Sequence, residues 1–431
     1  MLSHSPIKED FLHFLWRTKK IGSQNFETTD GRWVEIIDFG IYNSDAGPDF
    51  FNGKIELDHT IWAGNIEMHI FSSDWKRHKH QLDKAYENVI LHVVYEHDSE
   101  IFRADGSIIP VIELKGKIPK HFLDTYLSLI QSSDDIPCKN LIFAVLPQKI
   151  DLWKYTLAIE RIEQKTTHVS TILASCNDDW EECFYILLAR YFGSKVNTEA
   201  FESLARKLPL FILRKNQDKP LALDALYFGQ AGFLNADFDD AYFQDLKKEY
   251  YYQQKKYQLV PMNPVAWKFS KLRPMNFPSI RIAQFSALMS KADFLFSSIL
   301  EIKDPAILRA LFKTQLSFYW KSHYRFGHVS KPISKNMGPK FIDLLLINAV
   351  VPILFEYGKR NDDQTYIDQA IAILESIPSE KNAIIDNWKV LHVSSKSAFD
   401  SQALIQLKTQ YCDAHRCLSC QIGNEIISGK S

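Results

Sequence analysis

The hydrophobic period of the chain changes near Ile118, and that change constrains the fold more than any other feature. Before it, short apolar runs alternate with turn signals. Trp33-Val34-Glu35-Ile36-Ile37 and Val89-Ile90-Leu91-His92-Val93-Val94-Tyr95 read as strands, with turns at Asp30-Gly31, Asn52-Gly53 and Asp105-Gly106. A helix is expected ahead of them, because Ser5-Pro6 and Glu9 introduce Phe11, Leu12, Leu15 and Trp16 on one face. A second helix is expected over 74–86. Beyond Ile118 the apolar residues recur with a 3.6-residue period, and prolines such as Pro209, Pro220, Pro261 and Pro274 mark the loops. The expected class is α+β. An N-terminal mixed α/β sheet domain spans 1–117 and a mostly helical domain 118–399. A C-terminal helix and cysteine-rich tail over 400–431 is expected to pack on the helical domain.

The chain has 431 residues, 46% hydrophobic and 24% charged, enough to bury sizeable cores without covalent staples. Lys and Arg total 51 against 52 Asp and Glu, so any nucleic-acid site must be a local patch. The stretch Phe341–Phe355 is the most apolar, yet Asp343, Asn348 and Pro352 interrupt it, which suits a core helix better than a membrane span. Six cysteines are too few for a disulfide scaffold, and the N-terminus lacks a secretory pattern. A cytoplasmic protein without a membrane partner is expected.

The densest chemistry lies in Gly47-Pro48-Asp49-Phe50 and Gly64-Asn65-Ile66-Glu67-Met68-His69. Pairing Phe50–Leu57 with Ile61–Ile70 as a hairpin would bring Asp49 near Glu67 and His69. Positions 67 and 69 share a face because side chains alternate along a strand. Two carboxylates on one sheet face make an oxygen-rich site for Mg²⁺ or Mn²⁺, which can polarise a phosphodiester and activate water. The bland alternative is turn chemistry at Gly47-Pro48-Asp49 and a solvated Glu67. Against it, Asp74, His78, His80 and Asp83 follow closely, and Lys76-Arg77-His78-Lys79-His80 could contact a phosphate backbone.

The order of a helix with Glu9, Pro48-Asp49, Glu67-x-His69, a second helix and a strand resembles the PD-(D/E)xK nuclease superfamily. The resemblance implies Asp49 and Glu67 as metal ligands and Glu9 as an outer ligand. His69 stands where that superfamily has lysine, and could orient or deprotonate water. These segments, with Asp74-Trp75, Phe192-Gly193, Phe228-Gly229-Gln230-Ala231-Gly232 and Arg273-Pro274-Met275-Asn276-Phe277-Pro278, also look like an uncharacterised bacterial family, domain of unknown function 2851.

Three of the six cysteines crowd the C-terminus as Cys412, Cys417 and Cys420, with His415 between them. Such spacing can chelate a metal, and Cys138 or His415 could complete the set. One early cysteine with three late ones resembles the arrangement in nucleases stapled by an iron–sulfur cluster. Zn²⁺ or such a cluster is therefore expected, whereas Cys176 and Cys183 fit a helix core. Arg273 and Arg281, near a helix start, are further candidate phosphate contacts together with His78 and His80.

Two functions follow as expectations. One is a divalent-metal-dependent phosphodiesterase acting on DNA or RNA through Asp49, Glu67 and His69. The other is a non-catalytic nucleic-acid or protein-binding module with a structural metal.

Overall fold

The computed structural model describes residues 7–103, 105–291 and 294–429. It is α+β, a mixed sheet followed by helices, and it divides into two compact units. The first unit contains residues 1–153, 390–393 and 405–431, and the second 154–389 and 394–404. The division therefore falls later than the expected boundary at 117, and the C-terminal tail belongs with the sheet unit. The reason is local. The helix Lys120–Ile130 packs against the C-terminal helix Gln421–Ser428, and both belong to the unit that contains the sheet.

Within the first unit, helix α1 (Glu9–Arg17) buries Phe11, Leu12, Phe14, Leu15 and Trp16. Glu9 and Asp10 in its first turn and Arg17 in its last complement the helix dipole. Seven strands form one sheet: β1 (Asn25–Glu27), β2 (Trp33–Asp38), β3 (Ile41–Tyr42), β4 (Phe50–Leu57), β5 (Thr60–Phe71), β6 (Val89–Glu96) and β7 (Val111–Glu113). Their order is β1-β2-β4-β5-β6-β7, with β3 paired on β4. Strands β4 and β5 form the expected antiparallel hairpin, closed by Asp58 and His59 in left-handed backbone conformations. Strand β6 runs parallel to β5, and its first six residues are all buried, as a covered parallel strand requires. Helix α1 packs on β5.

Helix α2 (Asp74–Arg77) lies in the β5–β6 crossover and is much shorter than the expected 74–86. Lys79 takes a left-handed φ of 64°, ending the helical path, and two single turns at His80–Leu82 and Lys84–Tyr86 follow. A buried cluster of Trp75, Tyr86, Val89, Ile101 and Ile109 fixes this crossover.

The second unit is mostly helical, with helices that include Trp180–Phe192, Thr198–Lys207, Pro220–Gln230, Ala241–Tyr257 and Pro278–Met289, and it carries a small antiparallel pair, His323–Arg325 with His328–Val329. Gly229 lets the helix Ala241–Tyr257 come close. A methyl group at that position would stand 2.1 Å from the Tyr250 ring. The segment Pro339–Asn361 is long and apolar enough to cross a membrane, but 78% of its apolar window is buried inside the structure. A π-helical turn at Leu346–Val350 interrupts it, and Asn348 there accepts from Lys165 Nζ at 2.9 Å and donates to the Leu344 carbonyl.

Candidate metal centre

The two acids of the hairpin are held by each other's strand. The Asp49 backbone N–H donates to Glu67 Oε2 at 3.1 Å, and the Met68 N–H donates to Asp49 Oδ2 at 2.9 Å. Asp49 and Glu67 thus sit side by side where β4 begins. Helix α1 contributes His13, whose Nε2 lies 3.2 Å from Asp49 Oδ2. Glu9, one turn earlier on the same face, is within electrostatic reach of Asp49, His13 and His78.

Histidines close the other side. His69 follows Glu67 by two on β5, and its Nε2 stands 3.6 Å from Glu67 Oε1. His80 Nε2 stands 3.3 Å from the same oxygen. His78 Nδ1 is 3.1 Å from His69 Nε2, and one ligand nitrogen each of His69, His78 and His80 all lie within 4.8 Å of one another. The break at Lys79 makes this possible, since a continuing helix would turn residues 78 and 80 to different faces. Tyr86 stacks on His80 with ring centroids 3.8 Å apart, and Trp75 meets it edge-on at 5.4 Å. His80 is pinned; His78 is exposed and leaves the cluster open to solvent.

His92, fully buried in β6, places its Nε2 2.8 Å from His69 Nδ1. His69 therefore presents one nitrogen to Glu67 and His78 while its other nitrogen is held by a partner. That is the arrangement of a ligand imidazole whose outer nitrogen fixes its orientation.

The electrostatics follow from burial. Burial, and then the negative charge of Asp49, push the Glu67 carboxyl up to about 9. Burial also raises Glu9. His69 and His92 are driven below the ordinary imidazole value by burial first and by neighbouring imidazoles second. His80 is lowered by burial as well. For His13, burial pulls down, but the hydrogen bond and charge of Asp49 outweigh it and leave the group raised. Imidazoles kept neutral by burial are in the protonation state that metal ligation requires.

The model of the family described as "Protein of unknown function (DUF2851)" matches residues 9–383. The chain belongs to the DUF2851 family. The match begins at Glu9 and takes in every group of the histidine–carboxylate cluster, while Cys412, Cys417 and Cys420 lie beyond its end. No curated protein and no solved structure matches the DUF2851 chain.

Several residues singled out in the sequence stand elsewhere. Asp74 accepts from the Phe71 N–H and pairs with Arg77 at 3.0 Å, and Asp83 caps the turn before Tyr86. Arg273 and Arg281 belong to the second unit. Arg281 is buried, donates to Gln284 and Asn276 at 2.8 and 2.7 Å, and lies 3.4 Å over the Phe341 ring, so it serves packing. Cys138, Cys412, Cys417 and Cys420 all lie in the first unit at 7–8% exposure, and among the described residues the close-set trio of ligand atoms is that of the histidines, not these sulfurs. The Nε2 of His415 lies 2.9 Å from the Ser132 carbonyl oxygen.

Sequence reasoning missed His13 and His92, and both left a signal. His13 follows Glu9 by four on an amphipathic helix, and His92 is the lone polar residue within the apolar run 89–94. It also missed a cavity of about 470 Å³ beside the cluster, whose lining includes Lys8, His13, Arg17, Tyr42 and Arg416. Arg17 and Arg416 are far apart in sequence, so no local pattern could pair them.

Proposed function

We propose that this DUF2851 protein is a divalent-metal-dependent phosphodiesterase acting on DNA or RNA, with Glu67, His69, His78 and His80 as the metal ligands. The observation that carries this reading is the convergence of three imidazole nitrogens within 4.8 Å, two of them 3.3 and 3.6 Å from one oxygen of a buried carboxyl. Imidazole with carboxylate suits Mn²⁺, Fe²⁺ or Zn²⁺ better than Mg²⁺, which prefers oxygen ligands and keeps its waters. Such a metal would polarise a phosphoryl oxygen and acidify a bound water.

The remaining groups divide the work. His69, with both ring nitrogens engaged, acts as a ligand rather than as the water-deprotonating base. Asp49, Glu9 and His13 line the adjacent side and position the attacking water. Arg77 and Lys79, exposed beside His78, and Arg17 and Arg416 in the neighbouring cavity offer cations to the phosphate backbone. The order of helix, acid-bearing hairpin, crossover and parallel strand supports phosphodiester chemistry, because it resembles the PD-(D/E)xK core.

A second reading has its own support. Asp49 and Glu67 each accept a backbone N–H of the opposite strand, so the pair also suits a brace in a non-catalytic binding module.

Cleavage assays separate the two. Purified protein is incubated with single- and double-stranded DNA and RNA and with Mn²⁺, Fe²⁺ or Zn²⁺ in turn. Metal-dependent cleavage is expected, and it is expected to disappear in His80→Ala. Protein that binds metal through His80 yet cleaves no substrate with any metal would leave the binding module standing.

A further inference from the structure

Beside the cluster, the first unit holds the cavity of about 470 Å³ that His13 borders, a size common for small-ligand sites. Helix α1 supplies part of its lining. His13 and Arg17, four residues apart, share a face of that helix, and Lys8 and Asp10 stand at its start. The C-terminal segment supplies His415 and Arg416. Its backbone holds them in place: the Arg416 N–H donates to the Tyr411 carbonyl at 2.9 Å and the His415 N–H to the Cys412 carbonyl at 3.1 Å, with His415 at a left-handed φ of 50°. The contact of His415 Nε2 with the Ser132 carbonyl oxygen, at 2.9 Å, ties the segment to the residues after helix Lys120–Ile130.

Three cationic side chains line this cavity, Lys8, Arg17 and Arg416, and all three are exposed. None of them is ion-paired among the described residues, whereas in the same unit Arg32 pairs with Asp30 and Arg77 with Asp74. Each guanidinium of the cavity is steadied by an aromatic ring instead. Arg17 lies 5.4 Å from the centroid of Tyr42, and Arg416 lies 5.2 Å from that of Tyr411. A guanidinium held this way keeps its fork of N–H donors free for phosphate oxygens. Asp10 is the carboxylate of the lining, so three cations stand against one anion and, with the histidines uncharged, two positive charges are left uncompensated. An internal phosphodiester brings one negative charge, but a terminal phosphate brings about −1.5 to −2 at pH 7. The cavity therefore matches a phosphate at the end of a chain better than one within it.

We propose that this cavity receives a phosphate monoester, and that its ligand is the terminal phosphate of a DNA or RNA strand. That the ligand is a strand rests on the phosphodiesterase reading of the adjacent cluster. His13 joins the two places, since it borders the cavity and its Nε2 lies 3.2 Å from Asp49 Oδ2. Arg17 follows His13 by one helical turn, about 6 Å along the axis. A strand anchored by its end phosphate thus has its first internal linkages beside the histidine–carboxylate cluster, and cleavage starts from phosphorylated ends.

The test is equilibrium binding of the full chain, in chelator, to an internally labelled oligonucleotide of fixed sequence with a 5′ phosphate, a 3′ phosphate or hydroxyls at both ends. One of the two phosphorylated forms should bind about tenfold more tightly than the hydroxyl form, the effect of a single charge-assisted contact. Arg17→Ala and Arg416→Ala should each bring that ratio close to one. Arg77→Ala, beside His78, should weaken all three forms alike and leave the ratio unchanged. No binding, a ratio of one in the wild type, or a preference that survives both Arg17→Ala and Arg416→Ala overturns the inference. A nucleoside monophosphate that competes as well as the phosphorylated oligonucleotide overturns the assignment to a strand end and makes a small phosphate ester the ligand. With chelator present, none of these results depends on cleavage. Protein that keeps the end preference yet cleaves nothing with any metal refutes the phosphodiesterase and not the cavity. Protein that cleaves without any end preference refutes the cavity and not the phosphodiesterase.

Discussion

Replacing Glu67 by glutamine should stabilise the metal-free protein, and the gain should grow with pH. The carboxyl titrates at about 4.5 in the unfolded chain and at about 9 in the fold, because burial and the charge of Asp49 oppose its ionisation. Below the lower value both states are protonated and there is no penalty. Between the two values the unfolded state is ionised and the folded state holds its proton, so wild-type stability falls as pH rises. At about 1.4 kcal/mol per pH unit, the penalty at pH 7 reaches about 3 kcal/mol. Glutamine removes it while its amide oxygen can still accept the Asp49 N–H that Glu67 accepts at 3.1 Å. The histidines with lowered values, His69, His80 and His92, act oppositely, since they cost stability as pH falls below their unfolded value near 6.5. They are present in both proteins, so the difference between the two isolates Glu67. Urea denaturation with chelator at pH 6.5, 7.5 and 8.5 measures it. Trp75, whose ring centroid is 5.4 Å from that of His80, is a fluorescent reporter close to the site. The glutamine variant should be more stable throughout, with a margin widening by about 1 kcal/mol per pH unit. With Mn²⁺ at a hundred times its Kd the wild type should gain about 2.7 kcal/mol and the variant little. A margin that stays flat with pH, or a variant less stable than wild type, would refute the electrostatic reasoning.

Two further outcomes are expected. Asp49→Ala should destabilise the first unit by about 1–3 kcal/mol in chelator, because the Met68 N–H loses its acceptor in a buried strand; a change below about 0.5 kcal/mol would mean that water or a neighbour replaces it. Arg17→Ala with Arg77→Ala should weaken nucleic-acid binding and lower its salt slope by about 2, while Arg273→Ala changes neither; filter binding across salt concentrations checks this, and an effect of Arg273→Ala alone would move the contact surface to the second unit.

The α+β class was legible because strands and helices leave different periods, and the change near Ile118 is abrupt. The hairpin was legible for the same reason: alternation put Glu67 and His69 on one face, and β4 pairs with β5 as that pattern requires. The crossover was not. Residues 74–86 carry helix-compatible spacing, but Lys79 takes a left-handed conformation that its side chain does not advertise. Only the packing of Trp75 and Tyr86 around His80 accounts for the break. The division into units is a different case. The C-terminal segment has the same helical character as its neighbours in sequence, whereas its helix Gln421–Ser428 packs on Lys120–Ile130, almost three hundred residues earlier. Long-range pairing of this kind leaves no trace in local periodicity.

The histidine–carboxylate cluster also conflicts with the rules that the rest of the sheet unit obeys. Strand β6 is a covered parallel strand whose other early positions are Val, Ile and Leu, and His92 occupies its centre at 0% exposure. Its Nδ1 is buried without a hydrogen-bond partner among the described residues. Glu67 and His69, at 4% and 1% exposure, place a carboxyl and a second imidazole beside it. Burying such groups costs stability unless each is fully paired, and apolar residues of similar size would serve the core at least as well. A brace between β4 and β5 explains Asp49 and one oxygen of Glu67. It does not explain His69, His78, His80 or the second oxygen, which meet on one another rather than on backbone. Local violations that gain nothing for the fold are expected where a site has a function. A cation bound by that oxygen and the three imidazoles would turn the costly arrangement into a satisfied one.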